Sequence, residues 1–246
     1  MSAHQTIALV TGAAGGIGAS IARKLADLGC RVLLVDIARE ALEKLAAELP
    51  GGAEAVVLDL SDTAAVEAGI EQLTTRFGAI DVLVNNAGIL SNNKIATTSM
   101  DEWHRVTAIN VDAAFVLSRG VLPGMRAKRW GRIVNISSYA AKSGGLTAGT
   151  AYSVSKASMI GLTFSIARET AAEGITANAI APAYVMSRMI SEQLTEEQRQ
   201  RQLAQIPVGR FCEPEEVAHA VGFLVSPLAG FITGEVIDMN GGLHFD

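Results

Sequence analysis

The sequence predicts a doubly wound α/β fold, in which a seven-stranded parallel sheet of order 3-2-1-4-5-6-7 carries helices on both faces. Three observations support this prediction. Short, uninterrupted apolar segments alternate with longer amphipathic ones. A glycine-rich turn at residues 11–18 follows the first apolar segment. An acid, Asp36, ends the second apolar segment.

The first strand, predicted at residues 7–10, leads through the glycine turn into a helix that ends near Gly29. A strand, a glycine turn and a helix in this order form the phosphate-binding unit of a Rossmann fold, because backbone N–H groups at the helix N-terminus meet a pyrophosphate. The expected nucleotide contacts are Gly12, Gly15, Gly16, Ile17 and Gly18. The alternative is an ordinary turn that is rich in small residues.

The second strand, predicted at residues 31–35, ends at Asp36, eighteen positions after Gly18. An acid at this place accepts hydrogen bonds from an adenosine ribose and repels a 2′-phosphate. Ile37 follows the acid, and we expect Arg39, the nearby cation, to be solvated at the start of the next helix. The predicted cofactor is therefore NAD rather than NADP.

The rest of the chain continues the alternation of strands and helices within one domain, residues 1–246. Further strands are predicted at residues 55–58, 81–84, 132–136, 175–180 and 235–238. Further helices are predicted at residues 39–49, 62–77, 100–128, 150–173 and 213–226, and residues 187–205 are predicted to form a polar, charged lid over the substrate. The carboxyl ends of the strands, where such sheets bind ligands, carry Asp36, Asn86, Ser138 and Pro182.

Tyr152 and Lys156 lie four residues apart, on one face of a predicted helix. An ammonium group beside a phenol favours the phenolate and lowers a pKa that is normally about 10. A tyrosine tuned in this way can act as a general acid or base for an alcohol and its ketone. Helices collect such pairs by chance, so the weight of this one comes from the glycine turn upstream.

The order and spacing of short motifs resemble those of the short-chain dehydrogenase/reductase family over the whole chain. The family pattern TGxxxGxG stands at residues 11–18, its NNAG motif at residues 85–88 and its C-terminal Ile-Thr-Gly at residues 232–234. The resemblance implies catalytic roles for Asn110, Ser138, Tyr152 and Lys156. It implies cofactor contacts from Asp36, Ile37, Asp59, Leu60, Asn86, Ala87, Gly88, Tyr152, Lys156, Pro182, Val185 and Ser187. Asp59 or Ser61 is alternatively the cap of the helix that follows.

By the same resemblance, Tyr152 exchanges a proton with the substrate hydroxyl while hydride moves between the substrate carbon and C4 of the nicotinamide. Lys156 lowers the pKa of Tyr152 and binds the nicotinamide ribose, and Ser138 steadies the charge on the substrate oxygen. Asn110 is expected to hold a water molecule that links Lys156 to solvent. Two alternatives stay open: Asn110 bridges a kink in its helix, and Ser137 faces the site instead of Ser138.

The candidate substrate contacts are Ser138, Lys142, Tyr184 and Arg188. Lys142 and Arg188 either bind an anionic group of the substrate or are solvated, and solvation is favoured. Lys94, in the loop after Gly88, is a weaker candidate of the same kind. Ala183 stands where the family usually has glycine and loses the freedom to adopt a positive φ, while Ser187 replaces a frequent threonine.

The predicted function is an NAD-dependent oxidoreductase that acts reversibly on a small-molecule secondary alcohol and its ketone. The alternative is a 3-oxoacyl-thioester reductase, but by the family resemblance those enzymes usually use NADPH, and Asp36 argues against that cofactor. A nucleotide-sensing binding protein is a remote alternative, because such a protein would be expected to lose Ser138, Tyr152 or Lys156.

The composition argues against several other partners. A formal net charge of −5 without a run of Lys or Arg argues against nucleic acid and anionic membranes. The N-terminus does not resemble a signal peptide and no apolar run approaches the roughly 18 residues of a membrane span, so a cytoplasmic protein is expected. Cys30 and Cys212 are expected to be buried thiols, and the four scattered histidines predict no metal site.

The apolar helix at residues 150–172 and the C-terminal residues 241–246 predict, with the family resemblance, a homotetramer.

Overall fold

The computed structural model describes residues 5–186 and 195–245. Its strands are β1 (Ile7–Thr11), β2 (Arg31–Asp36), β3 (Glu54–Val57), β4 (Val82–Asn85), β5 (Gly131–Ile136), β6 (Ile175–Pro182) and β7 (Val236–Met239). They form one sheet in the order β3-β2-β1-β4-β5-β6-β7, and every neighbouring pair is parallel. The predicted fold class and strand order are therefore confirmed.

Helices cover both faces of this sheet. They are α1 (Gly16–Asp27), α2 (Arg39–Glu48), α3 (Thr63–Phe77), α4 (Met100–Thr107), α5 (Ala113–Lys128), α6 (Ala140–Ser143), α7 (Thr150–Thr170), α8 (Glu196–Leu203) and α9 (Pro214–Leu224). Successive residues of β1 belong to different cores: Ala8 and Val10 pack with α1 and α9, whereas Ile7 and Leu9 pack with α3 and α5. This division explains why the strand is apolar without alternation, since both of its faces are buried.

The long helix predicted at residues 100–128 is interrupted. A π-helical turn, Ala108–Asp112, separates α4 from α5 and contains the buried Asn110. Turns of this kind are rare and are often found at functional sites. The prediction missed it because the bonds that Asn110 makes from the turn go to residues distant in sequence, Ile89 and Ser155.

The same stretch is the one candidate membrane span among the described residues. The helix Met100–Lys128, counted through the π-helical turn, is long and apolar enough to cross a membrane by length and composition, although it contains no uninterrupted apolar run of that length. Its most apolar window is 44% buried within the protein, and Leu117 and Val121 belong to the core between the helices and the sheet. A core helix of a globular domain passes the same test.

The cap of α3 also differs from the prediction. Asp62 accepts a hydrogen bond from the Ala65 N–H at 3.0 Å and caps the helix. Asp59 instead accepts bonds from the N–H and the hydroxyl of Ser61. The alternative in which Asp59 or Ser61 is the cap is therefore wrong.

Candidate active site

The carboxyl ends of the strands bring the predicted site residues to one edge of the sheet. The strand ends place five predicted residues: Gly12 and Asn86 directly follow β1 and β4, Asp36 and Pro182 end β2 and β6, and Ser138 is the second residue after β5. The strand order changes direction between β1 and β4, which is where doubly wound sheets open a crevice. Of the predicted residues, Ser187 and Arg188 lie outside the described part of the chain, as do residues 187–194 of the predicted lid, whereas α8 (Glu196–Leu203) forms in the rest of it.

The glycine turn contains two kinds of glycine. Gly12 has φ +66°, and a Cβ there would lie 2.9 Å from the Ala87 Cα; a Cβ at Gly18 would overlap the Gly12 carbonyl oxygen. These two positions are required by the protein's own packing. At Gly16, by contrast, a Cβ would meet nothing within 4 Å. The space in front of the α1 N-terminus is thus open to a ligand, and the first N–H groups of that helix have no intrahelical acceptor.

Thr11 and Asn86 join the ends of β1 and β4. The Thr11 hydroxyl accepts bonds from the N–H groups of Asn86 and Ala87, both at 3.0 Å. The Asn86 side-chain amide donates to the Thr11 carbonyl at 2.9 Å. These bonds hold the glycine turn against the segment that carries Ala87 and Gly88, so the floor of the crevice is fixed.

Asp36 is half-buried at the tip of β2, beside the glycine turn. One carboxylate oxygen accepts a bond from the Ala14 N–H at 3.2 Å, and the other accepts one from the Ile37 N–H at 2.8 Å. Arg39 is exposed and lies 3.5 Å from Glu43 on the same helix, as a solvated helix start would predict. The carboxylate is therefore held in place by backbone groups, and Arg39 is paired with Glu43 on the α2 surface.

Leu60 and Asp59 lie farther along this edge. Leu60 is buried in the core under α3, while Asp59 is part of the turn described above. Hydrogen bonds from the backbone and side chain of Ser61 lower the pKa of Asp59. A carboxylate at the end of β3 is thus kept ionised.

Lys156 is deeply buried under Tyr152. Its ammonium donates to the Ile136 carbonyl at 2.8 Å and lies 5.8 Å from the centre of the Tyr152 ring. A Cβ at Gly88 would lie 3.2 Å from the Lys156 Nζ, so this glycine allows the segment after β4 to reach the ammonium. Burial lowers the pKa of Lys156 to about 8.

The pKa of Tyr152 differs from the prediction that Lys156, four residues away, lowers it. Desolvation raises this pKa above 10.0, and a hydrogen bond with the Ser138 side chain lowers it by less. The expected fall toward neutrality is therefore wrong for the chain by itself. In this arrangement the phenol is protonated at neutral pH.

The two serines after β5 have different surroundings. Ser138 bonds the phenol of Tyr152 and accepts a bond from the Ala140 N–H at 3.1 Å. Ser137 is buried and donates to the Lys156 carbonyl at 2.7 Å. Ser138 is thus the serine beside Tyr152, whereas Ser137 supports the backbone of α7.

Asn110 lies in the π-helical turn and links that turn to the loop after β4 and to α7. Its amide oxygen accepts a bond from the Ile89 N–H at 2.8 Å, and its amide nitrogen donates to the Ile89 carbonyl and, at 2.9 Å, to the Ser155 hydroxyl. These bonds tie the π-helical turn to the loop after β4 and to α7, and they do not cross the break in Asn110's own helix. Sequence reasoning missed Ser155, whose only signal is its place next to Lys156.

The candidate substrate contacts are arranged differently from the prediction. The Lys142 ammonium forms an ion pair with Asp238 of β7 at 2.5 Å, and both side chains are largely buried, so the favoured expectation of a solvated Lys142 is wrong. Tyr184 has a φ of 47° and packs against Phe211. Ala183 is not among the described residues with positive φ, so the missing glycine costs nothing there.

Comparison with known proteins places these features in a family context. Residues 12–244 match the family model described as Enoyl-(Acyl carrier protein) reductase. The chain is 40% identical over 245 residues to the 3-oxoacyl-[acyl-carrier-protein] reductase FabG of Vibrio cholerae, covering 99% of each chain. It is 38% identical to the protein of the same name from Escherichia coli over 245 residues, and 41% identical to that of Pseudomonas aeruginosa over 248 residues, again covering 99% of each chain.

Proposed function

This chain belongs to the short-chain dehydrogenase/reductase family, and on that premise we propose that it is an NADH-dependent ketoreductase whose substrates are 3-oxoacyl thioesters. The observation that carries the proposal is the cluster of Ser138, Tyr152 and Lys156 at the carboxyl end of the sheet. The names of the relatives favour the thioester over the wider class of secondary alcohols that the sequence alone suggests. The wider class is the second candidate.

The open space at the α1 N-terminus and the fixed acid at the tip of β2 fit a dinucleotide. Gly15 and Gly16 would hold the pyrophosphate and Asp36 the adenosine ribose, with further contacts from the predicted cofactor residues on β4 to β6. When bound, the nicotinamide ring donates or accepts the hydride. The preference for NAD rests on Asp36, because its carboxylate would repel a 2′-phosphate.

The chain's own residues supply the proton chemistry. Since Tyr152 is protonated at neutral pH, it is suited to donate a proton to the substrate oxygen during reduction. Ser138, bonded to the same phenol, can donate a hydrogen bond to that oxygen as charge develops on it. Lys156 lies beneath the ring, 5.8 Å from its centre, and its positive charge would stabilise the phenolate that remains after the proton is donated.

The proposal includes a homotetramer in the cytoplasm. Phe115 on α5 and Phe164 on α7 are each 49% exposed on the outer helices, which leaves aromatic surface for a second copy to cover. Cys30 is a buried free thiol and Cys212 a partly exposed one, so the expectation of burial is wrong for Cys212, and two free thiols suit a reducing compartment.

Oxidation of NADH in the presence of acetoacetyl-coenzyme A tests the proposed function. The wild-type protein should reduce this thioester with NADH, and reduction should be slower with simple ketones such as acetone or cyclohexanone. Turnover of simple ketones alone would favour the second candidate. Nucleotide binding without turnover on either class of substrate would favour the binding protein.

A further inference from the structure

The loop after β4 runs along the N-terminus of the catalytic helix α7. The Ser91 carbonyl accepts a bond from the Gly149 N–H at 2.6 Å, and the Asn93 carbonyl accepts one from the Thr150 N–H at 2.9 Å. A Cβ at Gly149 would lie 2.5 Å from the Asn93 carbonyl oxygen, so only glycine permits this approach. The contact is made two residues before Tyr152.

Lys94 adds two hydrogen bonds to the contact between this loop and the turn before α7. Its ammonium donates to the Ala148 carbonyl at 2.6 Å and to the Gly145 carbonyl at 2.7 Å. Both carbonyls belong to residues 144–149, the turn that joins α6 to α7. An ammonium bonded to two carbonyl dipoles holds them more strongly than neutral donors would. The lysine that the sequence suggested as a weak anion site is therefore committed to the protein's own backbone.

The opposite side of the loop is anchored on α4. The Glu102 carboxylate accepts bonds from the Ser91 hydroxyl and, at 2.7 Å, from the Asn93 side-chain amide. These bonds lower the pKa of Glu102, which keeps the anchor ionised. The loop is thus fixed to α4 on one side and to the turn before α7 on the other.

We propose that Lys94 is a positioning residue for the reaction: it holds the turn at residues 144–149 and, through it, sets the placement of Tyr152 against the substrate. The inference rests on the proposed function for its catalytic consequence. The turn joins α6, which follows Ser138, to α7, which carries Tyr152, so a shift of the turn would displace the start of α7 and with it the phenol. Lys94 is not among the predicted cofactor contacts, and the proposed pyrophosphate and adenosine ribose contacts lie at α1 and β2.

Three variants test this role. Lys94→Met removes the charge and keeps the side-chain length, Lys94→Arg keeps a charged donor, and Lys44→Met makes the same change on exposed α2 as a control. Amide hydrogen exchange is measured for peptides covering residues 144–156, together with kcat and KM for acetoacetyl-coenzyme A and the Kd for NADH.

Lys94→Met should raise exchange in that segment and lower kcat by about tenfold or more, because a displaced acid is misaligned with the carbonyl. The Kd for NADH should stay within about twofold, and Lys94→Arg should recover most of the loss. Lys44→Met should match wild type. Unchanged exchange at residues 144–156 in Lys94→Met, or an equal loss of kcat in Lys44→Met, would overturn the proposal. If wild type reduces no substrate, the proposed function fails while the exchange measurement still decides whether Lys94 holds the turn.

Discussion

At the scale of single residues, Lys156 is the most unusual group in the molecule, since it is an ammonium buried beneath the sheet edge with its pKa lowered to about 8. The unfolded chain keeps this proton up to 10.5, so between these two values the unfolded state binds more protons than the folded state. Stability from this residue is therefore lowest below about pH 8 and increases as the pH rises toward 10.5.

Because stability from Lys156 increases with pH, wild type and a variant without this lysine should differ in the pH dependence of their unfolding free energy. Between pH 8 and 9.5 the unfolding free energy of wild type should gain up to about 1.4 kcal/mol per pH unit relative to Lys156→Met. Urea unfolding of both proteins at several pH values measures the difference and cancels the contributions of the cysteines and Tyr152. Parallel pH dependences for the two proteins would show that Lys156 does not titrate in this window.

Cofactor choice is also decided at the residue scale. Asp36 should give NADH a kcat/KM at least about tenfold above that of NADPH, a margin of about 1.4 kcal/mol. Asp36→Ala combined with Ile37→Arg should erode or reverse it, because the repulsive charge is replaced by an attractive one. Arg39→Ala is the control, since Arg39 is paired with Glu43. A wild-type preference for NADPH would refute the assignment.

At the scale of elements, the strands and most helices follow from local pattern, whereas the π-helical turn does not. β1 and α3 are marked by an apolar run and by helical spacing that local sequence carries. The turn at Ala108–Asp112 depends on bonds between Asn110 and the distant residues Ile89 and Ser155. The ion pair of Lys142 with Asp238 escaped prediction for the same reason, because its partners are separated by 96 positions.

Replacing Asn110 tests how far the turn stabilises the site. Asn110→Leu leaves the half-buried Ile89 N–H without its acceptor and should lower the unfolding free energy by about 1–3 kcal/mol. Ser155→Ala removes one of the bonds and should cost less. Denaturant unfolding measures both. A variant Asn110→Leu as stable as wild type would show that the turn is maintained by packing alone.

At the scale of the whole molecule, the sheet order and the position of the crevice could be predicted from sequence, because parallel strands and their crossovers leave few arrangements. The residues predicted to be catalytic were expected at the sheet edge, and Ser138, Tyr152 and Lys156 do lie together there, while their roles stay predictions. The sign of the Tyr152 pKa shift could not be predicted, since it depends on how much solvent the assembled fold removes from the phenol.

The exposed aromatic side chains on α5 and α7 are the surface at which we expect the subunits of the proposed tetramer to meet. Light scattering should give a mass of about four times 25.7 kDa for wild type. Phe164→Glu should reduce that mass by placing a charge on the contact surface, whereas Met100→Glu, an exposed change at the start of α4, should not. A wild-type mass of 25.7 kDa at micromolar concentration would contradict the tetramer.

The most direct test of the whole account is the rate of acetoacetyl-coenzyme A reduction by wild type and by Tyr152→Phe, with NADH binding measured on the same samples. Removing only the phenolic oxygen takes away the proton donor and leaves the ring over Lys156. We expect kcat to fall by about a hundredfold or more while the Kd for NADH changes by less than about twofold. A Tyr152→Phe protein that keeps a kcat close to that of wild type would contradict the assignment of Tyr152 as the acid.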